Sequence, residues 1–214
     1  MALLALDAAL GTASVAIVTG GRVLFREADV AGGGRLAVLA ERALKAAGLK
    51  GSDLEAVAVS VGPGSFTGIR TALALASGIG LAAGKAVIGV SVGEALAAVL
   101  SDPLPCALWV AINSRRGHIF LERGGTVASF GLAALPLPAG PVLLAGDAAL
   151  SVAGRLRAAG ADVRLAGVLT GDAVAVGLAG EARLAGRLAA RPALPLYVDP
   201  PAVRLAAGIR PEPQ

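Results

Sequence analysis

The 214-residue sequence predicts an α/β protein made of two related halves, the first with the order βββαβαβα. Three features carry that prediction. The chain opens on an apolar run followed by a Gly-Gly hairpin signal, apolar strands then alternate with helical stripes, and the opening pattern returns after Asp102-Pro103-Leu104-Pro105.

Leu3 to Ala8 is almost continuously apolar, as a central strand buried on both faces is. Gly11-Thr12 turns the chain into Ala13 to Thr19, and Gly20-Gly21 gives a two-residue hairpin into Arg22 to Glu27. Gly32-Gly33-Gly34 breaks the pattern. Leu36, Leu39, Ala40, Ala43, Leu44 and Ala47 then share one helical stripe that Gly48 ends. Ser52-Asp53-Leu54-Glu55 has capping-box spacing and predicts a short helical turn. Ala56 to Val61 reads as a strand, Gly68 to Ala83 as a helix, Ala86 to Ser91 as a buried strand and Gly93 to Leu100 as a short helix.

In the second half, strands are expected over Cys106 to Ile112, His118 to Arg123, Thr126 to Phe130 and Val142 to Gly146. Helices are expected over Ala148 to Ala159 and Asp172 to Ala190. The reading divides the chain into residues 1–102, a smaller subdomain at 103–190, and a proline-rich tail at 191–214 docked near Leu196-Tyr197-Val198. This is the ribonuclease-H-like layout of actin-like ATPases and sugar kinases, and a fold does not by itself give a function.

Composition sets limits. Hydrophobic residues make up 56% and charged residues 16%, too apolar for a disordered chain. The best candidate for a membrane span, Thr71 to Gly84, has 14 residues between Arg70 and Lys85 and reads as a buried helix. The start, Met1 to Asp7, lacks a basic n-region and meets an acid early, so a cytoplasmic protein with no membrane contact is expected. Cys106 is the only cysteine and is expected as a buried, inert thiol; with His118 the only histidine, one chain cannot build a Cys/His zinc site. The net charge of +4 comes from scattered bases and aromatics are 3%, which permits a weak, salt-sensitive attraction to a polyanion and does not mark a nucleic-acid site.

The most informative stretch is Gly62-Pro63-Gly64-Ser65-Phe66-Thr67-Gly68, between a buried strand and a helix. Pro63 fixes its own φ and biases Gly62 away from helix. Gly64 allows unusual backbone, and Ser65 or Thr67 can cap the helix. A structural turn and an anion or partner site remain open, with Gly64 and Ser65 as anion candidates. A P-loop does not fit, because no lysine follows Gly68. Asp7, at the end of the first strand, reads either as a metal–phosphate ligand or as an acceptor for turn amides. The second reading is preferred because Ala8 offers no hydroxyl. The helix after the turn carries Gly78 and Gly80, each costing up to about 1 kcal/mol against Ala. Close approach would offset that cost, against either the sheet or another helix.

Ser60-Val61-Gly62-Pro63-Gly64-Ser65-Phe66-Thr67-Gly68-Ile69-Arg70 resembles the signature of the TsaB (YeaZ) family, with similarity continuing through Gly78-Ile79-Gly80-Leu81-Ala82 to Ser91. Leu6-Asp7, Ala13 to Ala16, Ala111 to Phe120 and Pro195-Leu196-Tyr197-Val198 resemble other segments of that family. The chain departs from it at Ala8 (usually threonine), Gly34-Arg35 (usually His-Ser or His-Thr), Asn113 (usually aspartate) and His118 (usually an acid). The resemblance implies a non-catalytic scaffold and activator for threonylcarbamoyl modification of adenosine 37 in tRNA. It implies a TsaD-like catalytic partner, a TsaE-like ATPase and a homodimer, tRNA contacted only indirectly or weakly, and ATP or ADP at the joint interface rather than a cofactor of this chain. Its partner-binding candidates are Leu36, Leu39, Phe66, Thr67, Ile69, Arg70, Leu73, Ser77 and Gly80, and Arg115 joins Asp7, Gly64 and Ser65 as a candidate anion or nucleotide contact. A small-molecule kinase of the same fold is the alternative. A transferase centre with the His-x-x-x-His pair of TsaD, or a peptidase relying on His118 alone, does not fit a single histidine.

Overall fold

The computed structural model describes residues 2–30, 33–100, 103–114 and 117–198. β1 (Ala2–Asp7), β2 (Ala13–Thr19) and β3 (Arg22–Asp29) form an antiparallel meander. α1 (Leu36–Ala46) leads to β4 (Leu54–Gly62), which lies parallel to β1. α2 (Phe66–Ala83), β5 (Ala86–Ser91) and α3 (Val92–Ala98) follow, with β5 parallel to β4. The resulting five-stranded sheet has the order β3-β2-β1-β4-β5.

β6 (Ala107–Asn113), β7 (His118–Arg123) and β8 (Thr126–Gly131) repeat the meander. β9 (Val142–Ala145), α4 (Ala149–Ala158), β10 (Val163–Leu165) and α5 (Ala173–Leu184) complete the second half. Its sheet has the order β10-β9-β6-β7-β8, the same arrangement of first, second, third, fourth and fifth strands as in the first half. The duplication expected from the sequence is therefore present. The second copy is trimmed: a 3-10 turn, Leu132–Ala134, stands where the first copy has α1.

Several expectations change. The Ser52 capping box is not formed. A 3-10 turn at Gly51–Asp53 is closed instead by the Lys50 N–H donating to Asp53 Oδ2 at 2.7 Å, and Leu54 already belongs to β4. β10, only three residues with two of them exposed, carries too little apolar pattern to be seen in the sequence. α5 stops at Leu184, because the chain turns through Gly186 at φ +71°. Cys106 is half-buried just before β6, not enclosed. α2 has 18 residues and is long and apolar enough to cross a membrane by those two measures; its Gly68, Ile69, Ala72, Leu73, Ala76 and Gly80 are packed against the chain itself.

α5 also crosses back. It packs on β1, β2 and β4, so the span 103–190 does not enclose a unit with all its own helices. The first sheet is consequently covered on both faces. Leu4, Leu6, Val57 and Val59 face α1 and α2, while Leu3, Ala5, Ala56 and Ala58 face α5. A strand buried on both sides has no polar face, which explains the continuous apolar run at the start of the chain. Small residues on α5 allow the approach: a Cβ on Gly180 would stand 2.9 Å from the Ala58 Cβ. The second sheet keeps its own core of Trp109, Leu121, Leu144, Val152 and Leu156.

Polar links tie the start of α3 to the second sheet and α3 itself to α5. Glu122 of β7, 5% exposed, accepts from Ser91 Oγ at 2.5 Å and from the Gly93 N–H at 2.8 Å, at the start of α3. Burial raises its carboxyl above the usual range, with the Ser91 hydroxyl and Gly93 amide opposing. Glu94 of α3 pairs with Arg183 of α5 at 2.5 Å and with Arg191 at 3.0 Å. Arg183 also donates to the carbonyls of Gly89 and Ala189.

Candidate functional site

The glycine-rich turn connects β4 to α2 and rests on the turn that follows β1. The Ser65 N–H donates to Ala9 O at 2.7 Å, Ser65 Oγ accepts from the Gly68 N–H at 3.2 Å, and the Ile69 N–H donates to Ser65 O. A Cβ on Gly64 would lie 2.2 Å from Ala9 O, and one on Gly68 would lie 2.1 Å from Ala8 O. Both glycines are thus required by main chain meeting main chain. The Ser65 amide is thus used within the chain, its hydroxyl accepts from the start of α2, and the Cβ side of Gly64 is filled by Ala9. Arg115, the remaining candidate of that group, lies outside the described residues.

Asp7 sits at the end of β1, 6% exposed, with Oδ1 accepting from the Ala9 N–H at 3.1 Å. The reading of Asp7 as an acceptor for turn amides therefore holds. Burial pushes its carboxyl up to about 6, only partly opposed by the neighbouring Ser60 hydroxyl and the Ala9 amide, and Asp172 pushes in the same direction as burial. Ser60, 1% exposed, stands beside Asp7, and its hydroxyl favours the ionised form. Asp7, Leu10, Ser60, Val92, Ala95, Gly171, Asp172 and Val176 line a small cleft between the ends of β1 and β4 and the helices α3 and α5. Asp172 Oδ1 caps α5 through the amides of Val174 and Ala175, and its Oδ2 pairs with Arg26 at 2.5 Å. The sequence reading missed Ser60 and Asp172 as partners of Asp7. Ser60 was the only polar residue in the expected strand Ala56 to Val61, and that was the available signal.

The outward side of α2 is a second feature. Phe66, Thr67, Arg70, Ala74, Ser77, Gly78 and Leu81 are exposed, Leu81 by 87%. A Cβ on Gly78 would meet nothing within 4 Å, whereas one on Gly80 would lie 2.5 Å from Val87 Cγ2. At its N-terminal end the Arg70 guanidinium lies 3.5 Å over the Phe66 ring and donates to the Tyr197 hydroxyl at 3.0 and 2.7 Å. With the Leu196 N–H donating to Val61 O at 2.9 Å, these contacts dock the chain near Leu196–Val198 against the turn; residues 199–214 lie outside the described residues.

The family profile described as TsaD, tRNA N6-adenosine threonylcarbamoyltransferase, matches residues 28–150, more than half of the chain. The chain belongs to that family. A curated tRNA N6-adenosine threonylcarbamoyltransferase from Jannaschia sp. (strain CCS1) is 34% identical over 138 residues, covering 53% of this chain and 38% of the relative. This TsaD-family chain therefore spans well under half the length of the curated relatives it matches. Its likeness to the solved YeaZ from Pseudomonas aeruginosa runs much further. The TM-score is 0.71 at 26% identity, covering 92% of this chain and 100% of that one. Within the TsaD family the chain is thus of the YeaZ (TsaB) type. The ROK hexokinase of Thermus thermophilus, at TM-score 0.50 and 16% identity, shares the actin-like ATPase fold and shows no more than that.

For this TsaD-family chain the structure sorts the partner-binding candidates. Leu36, Leu39, Ile69, Leu73 and Gly80 are buried in its own core, so their side chains have no surface to offer and are corrected to packing residues. Phe66, Thr67, Arg70 and Ser77 are exposed on one helix. The periodicity that marked the apolar stripe could not say which of its faces the sheet would take. His118, at an exposed strand end, shares a 3.2 Å contact with Ser129 through Nδ1.

Proposed function

We propose that this chain is a non-catalytic scaffold and activator subunit for threonylcarbamoyl modification of adenosine 37 in tRNA. It works through a TsaD-like catalytic partner and a TsaE-like ATPase. The observation that carries the reading is the exposed face of α2, where Thr67, Ala74, Ser77 and Gly78 stand beside the open Leu81. Small side chains let a second helix backbone come close, and the apolar Leu81 gives it something to bury. The signature turn fixes the direction of this helix by docking it on Ala8 and Ala9. The same face would serve either a second copy of the chain or the catalytic partner, with α1 beside it. Its exposed residues Ala37, Val38, Glu41 and Arg42 flank the buried Leu36 and Leu39.

Asp7 supports a non-catalytic reading. Its carboxyl is buried, one oxygen accepts from the Ala9 N–H, and Ala8 beside it offers no hydroxyl to meet a phosphate. On this reading ATP or ADP would sit at the joint interface with the partner, and a cytoplasmic setting fits this role. Co-purification with a TsaD-like subunit, with and without ATP, tests the proposal. Ser77→Arg should abolish the pairing and shift the homodimer to monomer in sedimentation, while the unfolding midpoint of the monomer stays within about 1 °C, as for an exposed substitution. Undiminished pairing of that variant, or steady ATP turnover by the isolated wild-type chain that Asp7→Ala removes, would overturn it.

A further inference from the structure

α2 carries a single charge. Of its 18 residues only Arg70 is charged, and it is exposed along with Thr67, Ala74, Ser77 and Leu81. Arg70 is also held in place. Its Nε and Nη2 donate to the Tyr197 hydroxyl at 3.0 and 2.7 Å, and its guanidinium lies 3.5 Å over the Phe66 ring and 5.5 Å from the Tyr197 ring. Tyr197 belongs to the segment after α5, which is itself tied down. The Gly89 N–H donates to Arg191 O, Arg191 pairs with Glu94, and the Leu196 N–H donates to Val61 O. An arginine fixed in this way has already lost much of the rotamer freedom that binding would otherwise remove.

No carboxylate meets this cation. Among the described residues Arg70 takes part in no ion pair, and its Nη1 makes no hydrogen bond. Arg26, Arg35 and Arg42 are similarly exposed, yet each is paired with an acid of the chain. A tyrosine hydroxyl supplies no countercharge. An apolar helix laid over α2 would therefore strip water from Arg70 without compensation.

We propose, resting on the reading of α2 as the partner face, that Arg70 receives one carboxylate of the partner that covers this helix, and that Tyr197 positions it. The partner surface is small and apolar except for an aspartate or glutamate set against the N-terminal end of α2. That carboxylate meets the guanidinium while Phe66 and Tyr197 hold its plane. A second copy of the chain is a poor source. Its α2 has no acid to offer. On the neighbouring α1 the exposed charges are Glu41, Lys45 and Arg42, the last already paired with Glu27. With Arg70 the face is basic on balance, and self-pairing would set it against its own kind, so the acid belongs to the TsaD-like partner.

The test measures binding of the full chain to a TsaD-like subunit, with sedimentation of the chain alone beside it. Glutamine and glutamate are alike in size, so Arg70→Gln and Arg70→Glu separate charge from packing. Arg70→Gln should weaken binding about 30-fold, and Arg70→Glu about 10-fold more. Arg70→Lys keeps the charge without the planar fork and should lose about 5-fold. Tyr197→Phe keeps the ring, removes the hydroxyl and should also lose about 5-fold. The unfolding midpoints of the Gln and Glu chains should agree within about 2 °C, because both lose the tie to Tyr197 equally. Equal binding by those two chains would mean that no carboxylate faces Arg70 and would overturn the proposal. A charge-ordered loss confined to self-association would place the acid on a second copy and overturn it equally. Wild-type affinity in Tyr197→Phe would overturn the role given to Tyr197. Absence of binding by the wild type would sink the partner-face reading together with this one. Binding that Ser77→Arg abolishes, but that the Arg70 series leaves in no order of charge, would sink this one alone.

Discussion

Gly68→Ala is the sharpest test of the argument that the signature turn is a main-chain docking device. Gly68 is helical, so alanine there would ordinarily stabilise by up to about 1 kcal/mol. In this chain the added Cβ would stand 2.1 Å from Ala8 O and 3.2 Å from both Ala8 C and Ser65 Oγ. Comfortable carbon contacts need about 3.5 Å, so the two main-chain segments must separate by roughly 1 Å or more. The obstacle is a backbone oxygen, not the end of a side chain that could swing aside. Separation also strains the 2.7 Å bond from the Ser65 N–H to Ala9 O. Overpacking costs about 1–3 kcal/mol and a weakened buried hydrogen bond about 1–3 more. Less the helix gain, the net loss centres near 3 kcal/mol, or about 6–12 °C in the unfolding midpoint of a chain this size. Urea and thermal unfolding of the monomer measure it. A midpoint equal to or above that of the wild type would refute the reasoning, because the helix gain would then have met no opposing contact.

Gly78→Ala is the matched control: with nothing within 4 Å of the new Cβ, it should stabilise the isolated chain by about 0.5–1 kcal/mol. If the outward face of α2 carries a close helix contact, the same change should weaken pairing in sedimentation. Asp7→Asn tests the buried acid. Its folded value of about 6 stands above the ordinary 3.8, so the folded state binds the proton more tightly. That contribution is present below the unfolded value and lost as pH rises through 6, a loss of about 3 kcal/mol. The variant should therefore gain on the wild type between pH 4 and pH 7.5, and a constant difference across that range would count against the raised carboxyl. Arg183→Ala removes the near-buried partner of Glu94, whose side chains are 7% and 17% exposed, and should cost about 3 kcal/mol in urea unfolding. Burial raises the Glu94 carboxyl, but the Ser91 amide, Arg191 and Arg183 outweigh it and hold it below the usual range. That stabilisation is present at neutral pH and fades as pH falls through the folded value, and the Arg183→Ala chain should lose less on acidification than the wild type.

Local sequence determined the elements of this protein. Gly20-Gly21 fixed the first hairpin because both residues take positive φ, +55° and +76°. The stripe from Leu36 to Ala47 fixed α1, and the return of the meander after residue 103 announced the second sheet. These signals are short-range, and a period of two or of 3.6 residues survives without any knowledge of neighbours. The signature stretch was also legible, but its purpose was not. A glycine-rich turn before a helix looks the same whether its amides face an anion or another turn. Only the tertiary structure put Ala8 O and Ala9 O where the glycines are needed.

Tertiary structure likewise decided which side of each helix is surface. Leu36, Leu39, Ile69 and Leu73 share helices with exposed Val38, Arg70 and Ser77, and the sheet took the first set. The return of α5 to the first sheet was invisible locally, because Gly177 and Gly180 have meaning only against Val18 and Ala58, far away in the chain. The meeting of Asp7 with Ser60 and Asp172 belongs to the same class. Three strand and helix ends separated by scores of residues converge there, and sequence spacing carries no record of such a convergence. Patterning sets what each segment becomes, and packing of the assembled sheets sets what its side chains can touch.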